Sequence, residues 1–266
     1  MINFSMVKQT IREVYQQPPI ILVYLIIAIV ILLALFTFNV EYEGDVIVSM
    51  KFIGIEIDET QVGYVFIRNI CNLFKAAFMF LFILQSSTLF PDTLKNPLLG
   101  IILTKHISRT SLFLSKYLGQ VIAIFSLLLA LSVAIIFILF FKINGSIILM
   151  PLYFSLFVFL EFVAIFIIIV LLSLIFEKSL AVTIIGLMIY FILSPLFGQA
   201  EKMGITFTSY IAYISYMFPP LWEITNQSNN IIDGETINGS IFAISMLYVT
   251  IYSSISIYLF KRRDIA

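Results

Sequence analysis

The 266-residue sequence contains one histidine, His106, one cysteine, Cys71, and one tryptophan, Trp222. A lone cysteine excludes an internal disulfide, and a lone histidine excludes histidine-cluster metal sites and the paired-histidine HExxH motif, so no metal site is expected. No aspartate falls within a long apolar run, which leaves the two-aspartate chemistry of an intramembrane aspartyl protease without a carrier. His106 lies in a connecting stretch, which removes a serine–histidine protease at membrane depth. No GxxxxGK[ST] stretch occurs, so the chain has no phosphate-cradling loop of its own. Charge is scarce too: 11% of residues are charged, against roughly a quarter in a soluble domain. Fifteen basic and fifteen acidic residues cancel, which argues against a nucleic-acid partner and an acidic disordered tail. What fills the sequence is apolar, at 61% hydrophobic residues and a mean hydropathy of +1.10. The chain reads as an all-α integral membrane protein with the lipid bilayer as its solvent.

Crossing about 30 Å of hydrocarbon takes about 20 helical residues, and six apolar runs qualify. They are Ile20 to Phe38, Tyr64 to Leu89, Leu118 to Phe141, Leu152 to Phe176, Leu180 to Phe197 and Ser240 to Phe260. The first follows a positive stretch, but its core is too long for a cleaved signal and no small-residue cleavage site follows before Glu41, so it counts as a span. Six spans place both termini on one side, and the distribution of Lys and Arg says which. With the N terminus inside, the inner segments carry ten basic and four acidic residues, or plus six. The outer segments carry four basic and ten acidic, or minus six. Both termini are therefore expected in the cytoplasm, in the inner membrane of a prokaryote.

The remaining segments are unequal. Residues 3 to 17 read as an amphipathic helix on the cytoplasmic membrane surface, with Phe4, Val7, Ile11 and Val14 on one face, stopped by Pro18 and Pro19. Residues 41 to 63 alternate in part, which suggests a small outer hairpin. Residues 90–117 form a cytoplasmic stretch, and residues 198–239 a long outer segment before the last span. No other connection is long enough to be a domain, so residues 1–266 read as one membrane domain without an internal repeat.

In the cytoplasmic stretch Leu94, Leu98, Ile101 and Ile102 recur at helical spacing, giving a short helix, about Leu94 to Leu103, with one apolar face. Such a face suits a groove on a soluble partner; it equally suits the chain's own span ends or lipid headgroups. The segment LLGIILTKHISRTSLFLSKYLG, from Leu98 to Gly119, resembles the motif of type-2 ATP-binding-cassette (ABC) permeases, in which a Leu-rich coupling helix runs into a Ser-Arg turn and then into span three. Ser108, Arg109, Lys116 and Gly119 sit where that pattern wants them, whereas His106 replaces the usual proline and Ser115 the usual glycine. The amphipathic N-terminal helix, the six spans, the long outer segment and the FKRRDIA ending are similar to that family as well.

The resemblance implies a transport subunit that is not itself an enzyme. ATP and Mg would be bound by a dimer of separate ABC ATPase subunits, and a second permease copy, identical or closely related, would complete the pathway. Leu94, Leu98, Ile101, Ile102, Ser108 and Arg109 would couple ATPase closure to alternating access. Similar permeases are exporters and include the copper-delivering permease of nitrous oxide reductase maturation. Copper, however, wants Cys, Met or His ligands, and the outer segments offer only scattered methionines such as Met50 and Met203, so copper or another cation stands as an alternative substrate. An ion-coupled secondary transporter is the alternative class.

That alternative draws on Lys75 and Glu161, the two charges inside spans where isolated charges are costly. Lys75 lies eleven residues past Tyr64 and Glu161 ten past Pro151, so at 1.5 Å per residue they share a depth and can meet. They read either as part of a pathway or as a structural pair joining spans two and four. In the outer segment Tyr210, Tyr213, Tyr216, Pro219, Pro220 and Trp222 suggest a short interfacial helix, an anchor or an external gate.

Overall fold

The computed structural model describes residues 2–43, 46–52, 55–57, 62–95, 107–142, 150–176, 178–203, 217–232 and 238–262. Helix α1 (Phe4–Tyr15) leads into α2 (Pro18–Thr37), a 20-residue helix. Pro18 is its first residue, where a missing N–H costs nothing because that group has no intrahelical acceptor. Strands β1 (Phe38–Glu43), β2 (Val46–Phe52) and β3 (Ile55–Ile57) form an antiparallel sheet in that order, with a register shift at Glu41/Tyr42. The sheet is the one non-helical element among the described residues and starts three residues before the hairpin read from the sequence.

Five of the described helices are long and apolar enough to cross a membrane, which makes the chain a multi-pass membrane protein. They are α3 (Val62–Lys95), α4 (Arg109–Lys142), α5 (Met150–Phe176), the run of α6 (Ser179–Met188) through a π-turn (Ile189–Leu193) into α7 (Ser194–Met203), and α9 (Gly239–Arg262). Helix α8 (Leu221–Ile232) lies between the last two. The spans outlast the apolar runs because helix propagation continues into polar flanks once a turn exists. Helix α3 passes through Pro91, which has no N–H for the Ser87 carbonyl. Nearby hydroxyls supply local bonds instead: Ser87 Oγ to Leu84 O at 2.8 Å, and Thr93 Oγ1 to Leu89 O at 2.6 Å.

Helix α5 is the centre. Apart from Glu161 it carries no charge, and it is apolar all round, the composition of a helix surrounded by other helices. Phe162 and the run Ala164–Val170 are buried, and α3, α4, α6, α8 and α9 all pack on it. Gly186 of α6 brings that helix close: a side chain there would meet Ile83 of α3 at 3.2 Å and Ile169 of α5 at 3.4 Å.

Helix α1 is packed against α4. Its buried face is Met6, Val7, Thr10 and Val14, while Phe4, expected on the apolar face, is 81% exposed. The face turns because α4 offers polar footholds. Asn3 caps α1 through Oδ1, which accepts from Ser5 N at 3.1 Å, while its own N–H donates to Ser115 Oγ at 3.0 Å. Lys116 Nζ meets Glu13 Oε2 at 2.5 Å, and the Tyr15 hydroxyl bonds Ser126 Oγ. Gly119 lets the helices touch: a Cβ there would stand 2.6 Å from Thr10 Cβ and 3.0 Å from the Val7 carbonyl. Gly119→Ala is therefore expected to push α1 off α4 and lower stability by about 1–3 kcal/mol, the usual cost of overpacking. Thermal unfolding of purified G119A in detergent checks this; an unchanged Tm would mean that the contact is looser than drawn.

Candidate functional site

Glu161, in the middle of α5, is 1% exposed, and Lys75 of α3 is 6% exposed. Their side chains meet, with Nζ 2.7 Å from Oε2. Each charge has further partners. Lys75 Nζ donates to Ser228 Oγ at 3.4 Å, and Glu161 Oε1 accepts from the Thr225 hydroxyl. Ser228 Oγ in turn donates to the Thr225 carbonyl at 2.7 Å. The buried Tyr190, in the π-turn, borders the same cavity as the Glu161 carboxylate. One ion pair thus gathers α3, α5 and α8 beside the widened turn between α6 and α7.

Local sequence places each group. The π-turn ends two residues before Pro195, whose ring in a regular α-turn would crowd the Phe191 carbonyl and whose missing N–H leaves that carbonyl unbonded. Widening the turn relieves this, and π-turns of this kind are common at functional sites. Helix α8 buries Leu221, Ile224, Ser228 and Ile231 at helical spacing. Thr225 lies beside that face and also reaches Glu161. Since Glu161 lies ten residues beyond Pro151, α8 reaches about 15 Å into the bundle rather than lying flat at its edge.

Two cavities flank Lys75. One, of about 20 Å³, is walled by apolar side chains including Phe74, Phe78, Leu131 and Val158, and receives the lysine stem. The other, of about 190 Å³, is bordered by the ion pair and by Asn72, Tyr190, Phe191, Ser194, Trp222 and Thr225. Trp222 lies against Gly198, where any Cβ would overlap its indole ring. This wall offers charges of both signs, hydroxyl and amide groups and aromatic faces, a chemistry of binding and holding.

The other predicted site residues are spread between two regions. Ser108 is the N-cap of α4: its Oγ accepts from Ser111 N at 3.1 Å, which satisfies one orphan amide of the first turn. Arg109 donates to the Lys261 carbonyl at 3.0 Å, at the negative end of the α9 dipole. Leu94 belongs to the last turn of α3 and packs on the core, so it does not begin a separate helix. Leu98, Ile101 and Ile102 lie outside the described residues, as do Tyr210, Tyr213 and Tyr216. Pro219 is buried, Pro220 and Trp222 are half-buried, and they lead into the inserted helix α8, while the Tyr210–Tyr216 part of the expected interfacial helix lies outside the described residues. Sequence reasoning missed Asn72, Tyr190, Ser194, Thr225 and Ser228. The hydroxyls of Thr225 and Ser228, three residues apart beside an apolar stripe, were the available signal for the last pair.

Removing one partner of the pair strands the other charge at membrane depth, so Lys75→Met or Glu161→Gln alone is expected to cost up to about 3–5 kcal/mol. The double variant should recover most of it, because it removes both charges together. Unfolding of all four proteins in detergent measures the coupling; additive losses would show that the two charges do not stabilise each other.

No protein-family model matches the chain, and no curated protein is similar enough to count as a relative.

Proposed function

We propose that the chain is the membrane-spanning permease subunit of an ATP-driven ABC exporter, with α2 as a sixth span and both termini cytoplasmic in a prokaryotic inner membrane. What carries the reading is the end of the bundle where the Leu98–Gly119 motif runs. There Ser108 caps α4, Arg109 holds the end of α9, and α1 is fastened to α4 through Glu13 and Lys116. Residues 96–106, which contain the apolar positions Leu98, Ile101 and Ile102, follow α3 and precede α4 of this joined set in the sequence. A push on that segment would act on the ends of four helices at once.

In this reading the chain hydrolyses nothing. A dimer of separate ABC ATPase subunits binds ATP and Mg and closes against the 96–106 segment of each of two permease copies. The movement passes through α3 and α4 to the buried pair, and α8, held by Thr225 and Ser228, serves as the outer gate with Pro219, Pro220 and Trp222. A second reading, an ion-coupled secondary transporter, is favoured by one observation, the Lys75–Glu161 pair at membrane depth. Transport into vesicles driven by an ion gradient without ATP would select it.

Replacing Leu98 or Ile101 by Asp would bury an unpaired charge at the ATPase contact. Each variant should insert and fold as the parent does. Recovery of a co-purifying ATPase of about 200–300 residues, a one-domain size, should fall at least tenfold. Undiminished recovery with both variants would return the segment to the membrane surface and leave the secondary transporter as the better reading.

A further inference from the structure

The 190 Å³ cavity is large for a purely structural ion pair. It is on the order of ten times the roughly 10–15 Å³ that one water needs, whereas the cavity on the other side of Lys75, at 20 Å³, has room for about one. Helix interiors pack densely, and a pair needed only to join α3 to α5 would be closed over by side chains. Here it borders open space. The cavity reaches the bundle surface at Ala76 and Phe191, both exposed, where α3 and α6 run antiparallel. Around that mouth Leu73, Phe80 and Ile192 are also exposed and apolar.

The charges limit what can enter. Lys75 and Glu161 sum to zero, and a ligand with net charge would leave one charge uncompensated at membrane depth, which is costly. A ligand carrying both signs leaves none. Its cationic end would find the Glu161 carboxylate beside the rings of Tyr190, Phe191 and Trp222, which favour an ammonium. Its anionic end would find the Lys75 ammonium and the amide of Asn72. We propose that the cavity is a binding site for a compact zwitterionic group, an ammonium and an oxyanion close together, either as the headgroup of an amphiphile entering at Ala76 and Phe191 or as a free soluble zwitterion. The site rests on the transport reading only for the role of its ligand as cargo; binding itself requires no ATPase.

Trp222 is the only tryptophan in the chain and lines the cavity, so its fluorescence reports occupancy directly. The purified full-length protein, in a non-ionic maltoside, is titrated with lysophosphatidylethanolamine, with anionic lysophosphatidylglycerol, with cationic dodecyltrimethylammonium and with chainless phosphoethanolamine. Saturable change is expected with a zwitterion at concentrations at least tenfold below those of either charged amphiphile. The chainless probe identifies the source: binding as tight as the lyso-lipid's marks a soluble ligand, and weaker binding marks a lipid headgroup. Two variants should each weaken zwitterion binding at least tenfold: Lys75→Met with Glu161→Gln, which removes both charges, and Ala76→Phe, which narrows the mouth without touching the pair. Equal affinity for all amphiphiles, no saturable change, or parental binding in both variants would overturn the proposal. Because ATP is absent, these outcomes leave the coupling of residues 98 and 101 to an ATPase untouched.

Discussion

A carboxylate and an ammonium in hydrocarbon must either meet or destabilise the protein, and that constraint organises the bundle. Glu161 sits in the helix on which α3, α4, α6, α8 and α9 all pack, so whatever it pairs with is fixed relative to the centre. A slip of α3 by one residue would turn Lys75 by about 100° and shift it by about 1.5 Å, separating the charges. The pair therefore sets a register that apolar packing alone, surrounded by equally apolar lipid, specifies weakly. Thr225 and Ser228 extend the same constraint to α8.

Elsewhere the same logic recurs with neutral groups. Gln85 and Gln120 bond each other across α3 and α4, with Gln120 Nε2 also donating to Ser86 Oγ at 3.2 Å, and Ser87 bonds Thr183 across α3 and α6. These contacts lie on the half of α3 away from Lys75. The bundle is thus fastened at two levels, one charged and one neutral, with phenylalanines between: Phe78 and Phe82 stack edge-on at 5.3 Å, and Phe82 meets Phe162 at 5.6 Å. The charged level borders the 190 Å³ cavity.

Much of the fold was legible because bilayer thickness converts directly into run length. Six runs predicted six spans; a helix occurs at each run, within about nine residues at each end, and five of the described helices are long and apolar enough to cross a membrane. The pairing of Lys75 with Glu161 was legible for the same reason, since residue counts from the outer ends translate into depth. What could not be read was anything set by which helix face meets which neighbour. The period of α1 pointed to Phe4, yet the polar partners on α4, more than a hundred residues away, chose Met6 and Thr10 instead. Tyr-rich outer sequence looked interfacial, and only the hydroxyls of Thr225 and Ser228 hinted that the helix after it dips inward. The π-turn was hidden because Pro195 signals a disturbance without saying where the helix widens.

The attachment of α1 to α4 has a consequence for the order of synthesis. Asn3 and Ser115 are 112 residues apart, so at about 5–20 residues per second the first helix waits about 6–22 s for its partner to be translated. During that interval α4, on which Met6, Val7 and Val14 pack, has yet to be made. An amphipathic segment can spend the delay at the lipid surface, screening those side chains from water until α4 is threaded. The amphipathic pattern of α1 thus suits a lipid surface before α4 is made, and the Ser115, Lys116 and Gly119 footholds suit α4 once it is.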